Sequence, residues 1–284
     1  MGESILRNKG YTCSDMELAE IRQVQIDMLV EVDRICKKYD IKYCIIGGTL
    51  LGCIRHGGYI PWDDDADLGM LREEYEKFKK ACKQELNEDK FCFQDHQTTK
   101  GYRWGYGKLR RKDTKFIRLN QEDMPYFQGI FIDIFPYDNV PENFFLRLVH
   151  CFICFVYRKC FWSAVGYKFE KNLLIKTIYK LLYQINEEKL KHSFNRFIRY
   201  SNRRKTKFVR VLTFPNPKTY RTRCEKRYWY EHLKRYEFEG VKLVGIADAD
   251  EYLRYKYGDY MKIPDEKDRM IHPISELKLP DRQY

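Results

Sequence analysis

The chain has 284 residues, 44% of them hydrophobic, and no low-complexity tract, so it can bury a core and is not an intrinsically disordered chain. The net charge is +12, but residues 144–235 carry 23 Lys or Arg against 5 Asp or Glu, which puts this middle at +18 and the remainder at −6. That asymmetry suits an anionic neighbour or a solvated basic face. The longest uncharged apolar run, residues 148–157, falls well short of the ~20 residues a bilayer-spanning helix needs.

In chain order, Ser14 and Glu17 form a capping-box pattern. Leu18, Ile21, Val24, Met28, Leu29, Val32, Ile35 and Tyr39 follow at helical spacing, predicting a long amphipathic helix. Residues 41–46 are rich in β-formers and run into Gly47-Gly48, the sign of a buried strand entering a tight turn. Thr49 opens a short helix over 49–55, broken by Gly57-Gly58 and Pro61. A strand over 66–71 leaves an acidic run, and a charged helix follows over 72–86. Further strands are expected over 91–95, 104–109 and 130–135, the last closed by Pro136 and Pro141. In the basic middle, helices are predicted over 144–161 and 173–185. The second has Lys176 and Lys180 on one face, with Leu174, Ile178, Leu181, Leu182 and Ile185 turned to a core. Residues 214–217 read as a turn, 241–246 as a strand, and Asp248 as the cap of a last helix ending at Gly258. Most of the ten cysteines sit in apolar patterns as reduced core thiols. The lone C-x-x-C of Cys151 and Cys154 lies in an apolar helical stretch, so zinc or redox use is not expected.

These elements predict an α+β fold, a mixed β-sheet core flanked by helices with a basic helical insertion. The expected units are a catalytic core over 1–142, a basic helical region over 143–235 facing an acceptor or a membrane, and a C-terminal segment over 236–284 packing back on the core.

Three features converge on chemistry. Gly47, Gly48 and Thr49 join a strand to a helix N-terminus, where free N–H groups can meet a phosphate. Asp65 and Asp67, spaced i and i+2, share a face of a strand and make a hard oxygen site that suits Mg2+, with Mn2+ as the alternative. Asp133, between Ile132 and Ile134, is a costly charge in an apolar strand unless something meets it. Asp63 and Asp64 either join the site or cap the turn after Pro61, and Asp138 is the fallback acid. Arg55, with His56 beside it, is a candidate donor contact because a guanidinium fork suits phosphate. Lys108, in phase with Trp104 and Tyr106, either binds a donor pyrophosphate or ends an exposed strand with Arg110 and Arg111. Trp62, Trp104, Tyr106 and Tyr137 either pack in the core or cage a quaternary ammonium.

A Gly-Gly turn, an acid-x-acid strand and a third acid on a neighbouring strand make the pattern of the nucleotidyltransferase superfold. Read whole, Gly47-Gly48-Thr49 through Trp62-Asp63-Asp64-Asp65-Ala66-Asp67 resembles the signature of the LicD family, which includes bacterial phosphocholine transferases and is related to fukutin-type ribitol-phosphate transferases. Gly129-Ile130-Phe131-Ile132-Asp133-Ile134-Phe135-Pro136-Tyr137-Asp138 resembles that family's second block, and Phe238-Glu239-Gly240 with Tyr257-Gly258-Asp259-Tyr260-Met261 its C-terminal block. The resemblance implies a nucleotidyltransferase-like core. It also implies metal-dependent transfer of a phospho-alcohol, phosphocholine first, from a CDP-linked donor such as CDP-choline. The acceptor would be a hydroxyl of a glycan or lipid-linked glycan, such as a teichoic-acid or lipopolysaccharide precursor, with CMP released. Ribitol phosphate, glycerol phosphate and phosphoethanolamine are the competing groups. Asp65 and Asp67 would hold the metal, and Asp133 would be the third acid, as a further metal ligand or as base for the acceptor hydroxyl. The expected place is the cytoplasm, at the inner face of the membrane, in contact with anionic lipid. No RNA-binding module is visible and no nucleic-acid partner is expected, with nucleotidyl transfer to RNA or a small molecule as the alternative reading.

Overall fold

The Ser14 hydroxyl accepts from the Glu17 amide at 3.3 Å and the Glu17 carboxylate accepts from the Ser14 amide at 2.8 Å, so the capping box forms and starts α1 (Asp15–Lys38). The computed structural model describes residues 10–214, 224–269 and 271–281; residues 215–217 of the expected turn lie outside them. The apolar stripe of α1, with Ile21, Met28, Leu29, Val32 and Ile35 fully buried, lies across a β-sheet.

The strands are β1 (Cys44–Ile45), β2 (Asp67–Leu71), β3 (Phe91–Gln94), β4 (Gly107–Arg111), β5 (Lys115–Arg118), β6 (Phe131–Val140), β7 (Phe208–Arg210), β8 (Glu225–Lys226), β9 (Leu233–Phe238), β10 (Val241–Ile246) and β11 (Ile274–Lys278). The main path runs β3-β4-β6-β2-β1-β10-β9. It is mixed: β2 is parallel to β6 and β1 to β10, and the other neighbours are antiparallel. The expected α+β architecture is present. The C-terminal segment supplies β10, which lies between β1 and the end strand β9, and β11 pairs with β5 as a separate ribbon. Between the strands come α2 (Gly47–His56) and α3 (Arg72–Glu85), and after β6 come α4 (Phe144–Phe169), α5 (Leu173–Tyr183) and α6 (Glu187–Ser201). Two further helices, α7 (Arg227–Glu231) and α8 (Ala249–Tyr257), follow.

Several expectations need correction. Pro136 does not close its strand; β6 continues to Val140. Asp133 donates its N–H to Ala66 on the β2 side, so by alternation the position of Pro136 turns its nitrogen to the opposite edge. There β4 stops opposite Ile134 and β7 begins opposite Asp138, so the missing N–H costs no ladder bond. β4 starts at Gly107, leaving Trp104 in the preceding loop. The basic middle contains a third helix, α6, which the sequence reading missed, and returns strands β7 and β8 to the edge of β6. It has its own small core around Cys154, Phe161, Leu190, Phe194 and Ile198.

The expected core face of α5 is largely exposed, although its Leu182 packs on the small core of the basic middle. Leu174 is 72% exposed and Leu181 61%, and among residues of α5 only Tyr179 is buried. Tyr179 packs on Gly166 of α4, where an added Cβ would stand 2.5 Å from the ring. Periodicity shows which face of a helix is apolar, and says nothing of what covers it.

In α4, His150 is buried between the Ser201 hydroxyl (3.0 Å) and the Phe197 ring (4.8 Å between centroids). Burial, followed by the charge of Arg210, pushes its pKa down to about 4, so the fold holds it neutral. The unfolded chain takes up a proton first as the pH falls below the ordinary histidine value, so stability is lost on acidification. Between pH 7 and pH 5, wild type is expected to lose about 2 kcal/mol more than His150→Asn in urea unfolding. Equal losses would show that His150 is not held neutral.

Candidate active site

Asp67 on β2 stands in register with Asp133 on β6, and Asp133 stands opposite Lys108 on β4. Paired residues in register project from the same face of a sheet, so three strands deliver two acids and a base to one point. Asp65 joins them from the segment before β2. All four line a cleft of about 510 Å3, whose walls also include Arg110, Arg118 and His272.

The acids crowd one another. Burial, then the negative charges of Asp65 and Asp64, pushes the Asp63 carboxyl up to about 8. Burial, then Asp65, Asp133 and Asp63, pushes Asp67 well above the ordinary carboxylate range. Burial also raises Asp133, against the opposing charge of Lys108, and lowers Lys108 to about 8. The Lys108 ammonium donates to Asp133 Oδ1 at 2.5 Å and lies 3.3 Å from the centroid of the Phe131 ring. Asp64 behaves differently. Burial opposes its charge, but His272 and Arg118 outweigh burial and hold its carboxyl below the ordinary value. Arg118 grips it with two hydrogen bonds of 2.5 and 3.0 Å.

The donor set fits a hard cation. Asp63, Asp67 and Asp133 are carboxylates raised by burial and by the charges of neighbouring acids, Asp65 among those neighbours, with Lys108 the cation hydrogen-bonded to Asp133. A divalent ion held by oxygen would supply the missing positive charge. Among the described residues, the set of three whose ligand atoms all lie within 4.8 Å of one another is Asp64, Asp65 and His272. Asp64 is already neutralised by Arg118, so Asp67, and Asp65, which Arg118 approaches only to 3.6 Å, are the better ligands. Asp133 would have to exchange its bond with Lys108 to bind metal.

Gly47, Gly48 and Thr49 stand behind the acids and do not line the cleft. Both glycines lie in α2 itself, which starts two residues earlier than expected, and Gly47 has a positive φ of 55°. A Cβ on Gly48 would meet Asp63 Oδ2 at 2.7 Å, and one on Gly47 would meet Asp67 Oδ2 at 3.1 Å. The Thr49 hydroxyl accepts from the Asp67 amide at 2.8 Å, and Gly47 donates its N–H to the Tyr252 hydroxyl at 3.2 Å. The motif thus lets two carboxylates rest against a helix N-terminus, whose dipole favours them.

The other candidates divide. Trp104 and Tyr106 line the cleft, joined by Trp162, Phe135 and Phe214. Trp104 and Trp162 are 5.6 Å apart between ring centroids, and Trp104 donates to the Tyr126 hydroxyl at 2.7 Å. Trp62 lies under Arg269, and Tyr137 packs on Tyr230, both away from the cleft. Arg110 lines the wall with Lys108, while Arg111 points to the other face over Phe91. Arg55 donates to the Tyr260 carbonyl at 2.7 Å and to His56 at 2.9 Å, tying α2 to the C-terminal segment. Eight helical residues separate it from Gly47, about 12 Å along the axis. Asp138 is fully buried and clamped by Arg72 through two bonds of 2.7 Å, so it is not in the cleft.

Arg118, His272 and Trp162 were missed by sequence reading. The surplus of carboxylates signals that basic partners must exist, but β5, the segment before β11 and α4 reach the site only by folding. The C-terminal block has a local purpose. Glu239 and Gly240, with φ of 48° and 77°, make the two-residue turn of the β9–β10 hairpin, and Glu239 accepts from the Tyr59 amide at 2.8 Å. It thereby holds the loop that leads into the acidic run.

Residues 40–161 match the family model described as LicD/FKTN/FKRP, nucleotidyltransferase domain. Along its length the chain is similar to the lipopolysaccharide cholinephosphotransferase LicD of Haemophilus influenzae, at 29% identity over 266 residues, covering 92% of this chain and 97% of that protein. A shorter similarity, 53% identity over 34 residues, links it to the human ribitol 5-phosphate transferase FKRP and covers 12% of this chain and 7% of that one. An uncharacterized protein of Rickettsia prowazekii is 29% identical over 137 residues, 48% of this chain and 46% of its own.

Proposed function

We propose that the chain transfers a phospho-alcohol, phosphocholine first, from a CDP-linked donor to a hydroxyl of a cell-surface glycan precursor and releases CMP. The observation that carries this reading is one cleft with two ends: clustered acids at Asp65, Asp67 and Asp133, and an aromatic end at Trp104, Trp162, Tyr106 and Phe214. Acids of this kind suit a diphosphate with its cation, and electron-rich rings suit a quaternary ammonium. The name of the H. influenzae relative supports choline as the alcohol.

Asp65 and Asp67 would hold Mg2+, or Mn2+, with Asp133 beside them; bound there, the ion neutralises the charge that grows on the departing CMP phosphate. Lys108, Arg110 and Arg118 line the same wall and offer positive charge to the donor phosphates. The acceptor oxygen attacks the phosphorus that carries choline, and the bond to the bridging oxygen breaks so that CMP leaves with it. Asp133, whose proton affinity burial raises, takes the hydroxyl proton.

The test is CMP release by purified protein with Mg2+ across CDP-choline, CDP-ethanolamine, CDP-ribitol and CDP-glycerol, with and without glycolipid acceptor. Release from one donor, dependent on Mg2+, is expected. Silence across the panel, with folded protein and an authentic acceptor, overturns the reading. Trp104→Ala is expected to raise KM for CDP-choline by roughly tenfold or more, since a desolvated cation–π contact contributes about 2 kcal/mol. KM for CDP-ribitol should barely move. An equal change for every donor would remove the cage.

A further inference from the structure

The outer face of the α4–α5 hairpin is apolar and basic together. On α4, Phe145, Val149, Phe152 and Val156 follow at i, i+4, i+7 and i+11, with Phe145 73% and Phe152 67% exposed. The same helical line continues through Lys159 and Gly166. There Tyr179 of α5 covers it, with Lys159 donating to the Tyr179 hydroxyl at 2.8 Å. Beyond that contact α5 turns a second stripe outward, Leu174, Ile178 and Leu181, with Leu173 beside it. Lys171, just before this helix, and Lys180 on it are exposed. From residue 144 to 183 there are seven Lys or Arg and one acid, Glu170.

We propose that this hairpin docks the chain on an anionic lipid bilayer, lying in its interface with α5 and the N-terminal half of α4 downward. Among the described residues no helix is long and apolar enough to cross a membrane, and Arg147, Arg158 and Lys159 interrupt α4. An exposed apolar stripe flanked by lysines is the composition of a helix that rests on lipid. Charge decides the occupant: a second copy of this face would bring two strongly positive hairpins together, whereas anionic headgroups answer the lysines. The docked helix is also a wall of the cleft, since Arg158, Phe161 and Trp162 of α4 line it. Docking therefore holds the cleft at the lipid surface, where a lipid-linked acceptor hydroxyl would be presented; this last clause rests on the transferase reading, while the docking does not.

The test is co-sedimentation of the full chain with phosphatidylcholine vesicles, alone or with about a third phosphatidylglycerol, at low and high salt. Circular dichroism and thermal unfolding check each variant's fold. Wild type is expected to bind the anionic vesicles. Val149→Ser/Phe152→Ser/Leu174→Ser/Leu181→Ser should lower the partition coefficient by at least about tenfold. Lys171→Gln/Lys180→Gln should lower it by roughly fivefold per lysine on anionic vesicles only. No binding at low salt overturns the proposal. So does binding that the four serines leave unchanged, which would be adsorption by charge alone. Self-association of wild type without vesicle binding, abolished by the same serines, would assign the face to a second copy and also overturn it. CMP release to a short water-soluble acceptor reads the transferase separately, and the serine variant should retain it. Vesicle binding without any transfer leaves docking in place and sinks the enzymatic reading.

Discussion

Asp65→Asn/Asp67→Asn is expected to lower kcat for CMP release by at least about 10³-fold while leaving the chain folded. The size follows from the chemistry: phosphoryl transfer depends on positioning and charge neutralisation, and removing one preorganised electrostatic contact alone costs roughly 10²–10³. The substitution relieves crowding instead of opening a cavity, because the raised Asp67 carboxyl already resists ionisation. Without Mg2+ the variant should therefore unfold at the same temperature as wild type or above it. A second readout is independent of turnover. At a Mg2+ concentration about tenfold over its Kd, wild type should gain about 1.4 kcal/mol, a rise of roughly 2 °C in Tm, and the variant none. A Mg2+ shift retained in the variant would move the metal to other ligands, with Asp64, Asp65 and His272 next in line.

Lys108→Met is expected to lower kcat by about 10²-fold and to destabilise the fold by about 3–5 kcal/mol, because it leaves Asp133 buried without its partner. Adding Asp133→Asn should return most of the stability, since the double variant buries no lone charge, and should return no activity. Chemical denaturation and CMP release on the same four proteins close the cycle. Recovery of turnover in the double variant would show that Lys108 and Asp133 only hold the sheet together.

The three acids could be named from the sequence because their signals are local. Asp133 sits between isoleucines, and Asp65 and Asp67 are spaced for one face. The structure gives the glycines of the same motif a different place: Gly47 and Gly48 make room for Asp67 and Asp63. A sequence shows that a position tolerates no side chain, and only the fold shows which neighbour would collide with it. Arg55 makes the same point, since a fork-shaped cation near a motif reads as a phosphate ligand until the helix carries it to the Tyr260 carbonyl.

By itself the sequence determined the capping of α1, the alternation that marks β6 and the acid spacing, all set by backbone geometry within a few residues. The tertiary structure decided what crosses long separations: the register of Asp67, Asp133 and Lys108, the grip of Arg118 on Asp64, and the arrival of Trp162 beside Trp104. It also decided that most of the apolar face of α5 stays exposed, with Leu182 packed on the small core of the basic middle. The physical reason is common to all of these. Hydrogen bonding and side-chain periodicity act over one turn or one strand, whereas strand order, ion pairing and burial depend on which distant segments pack together.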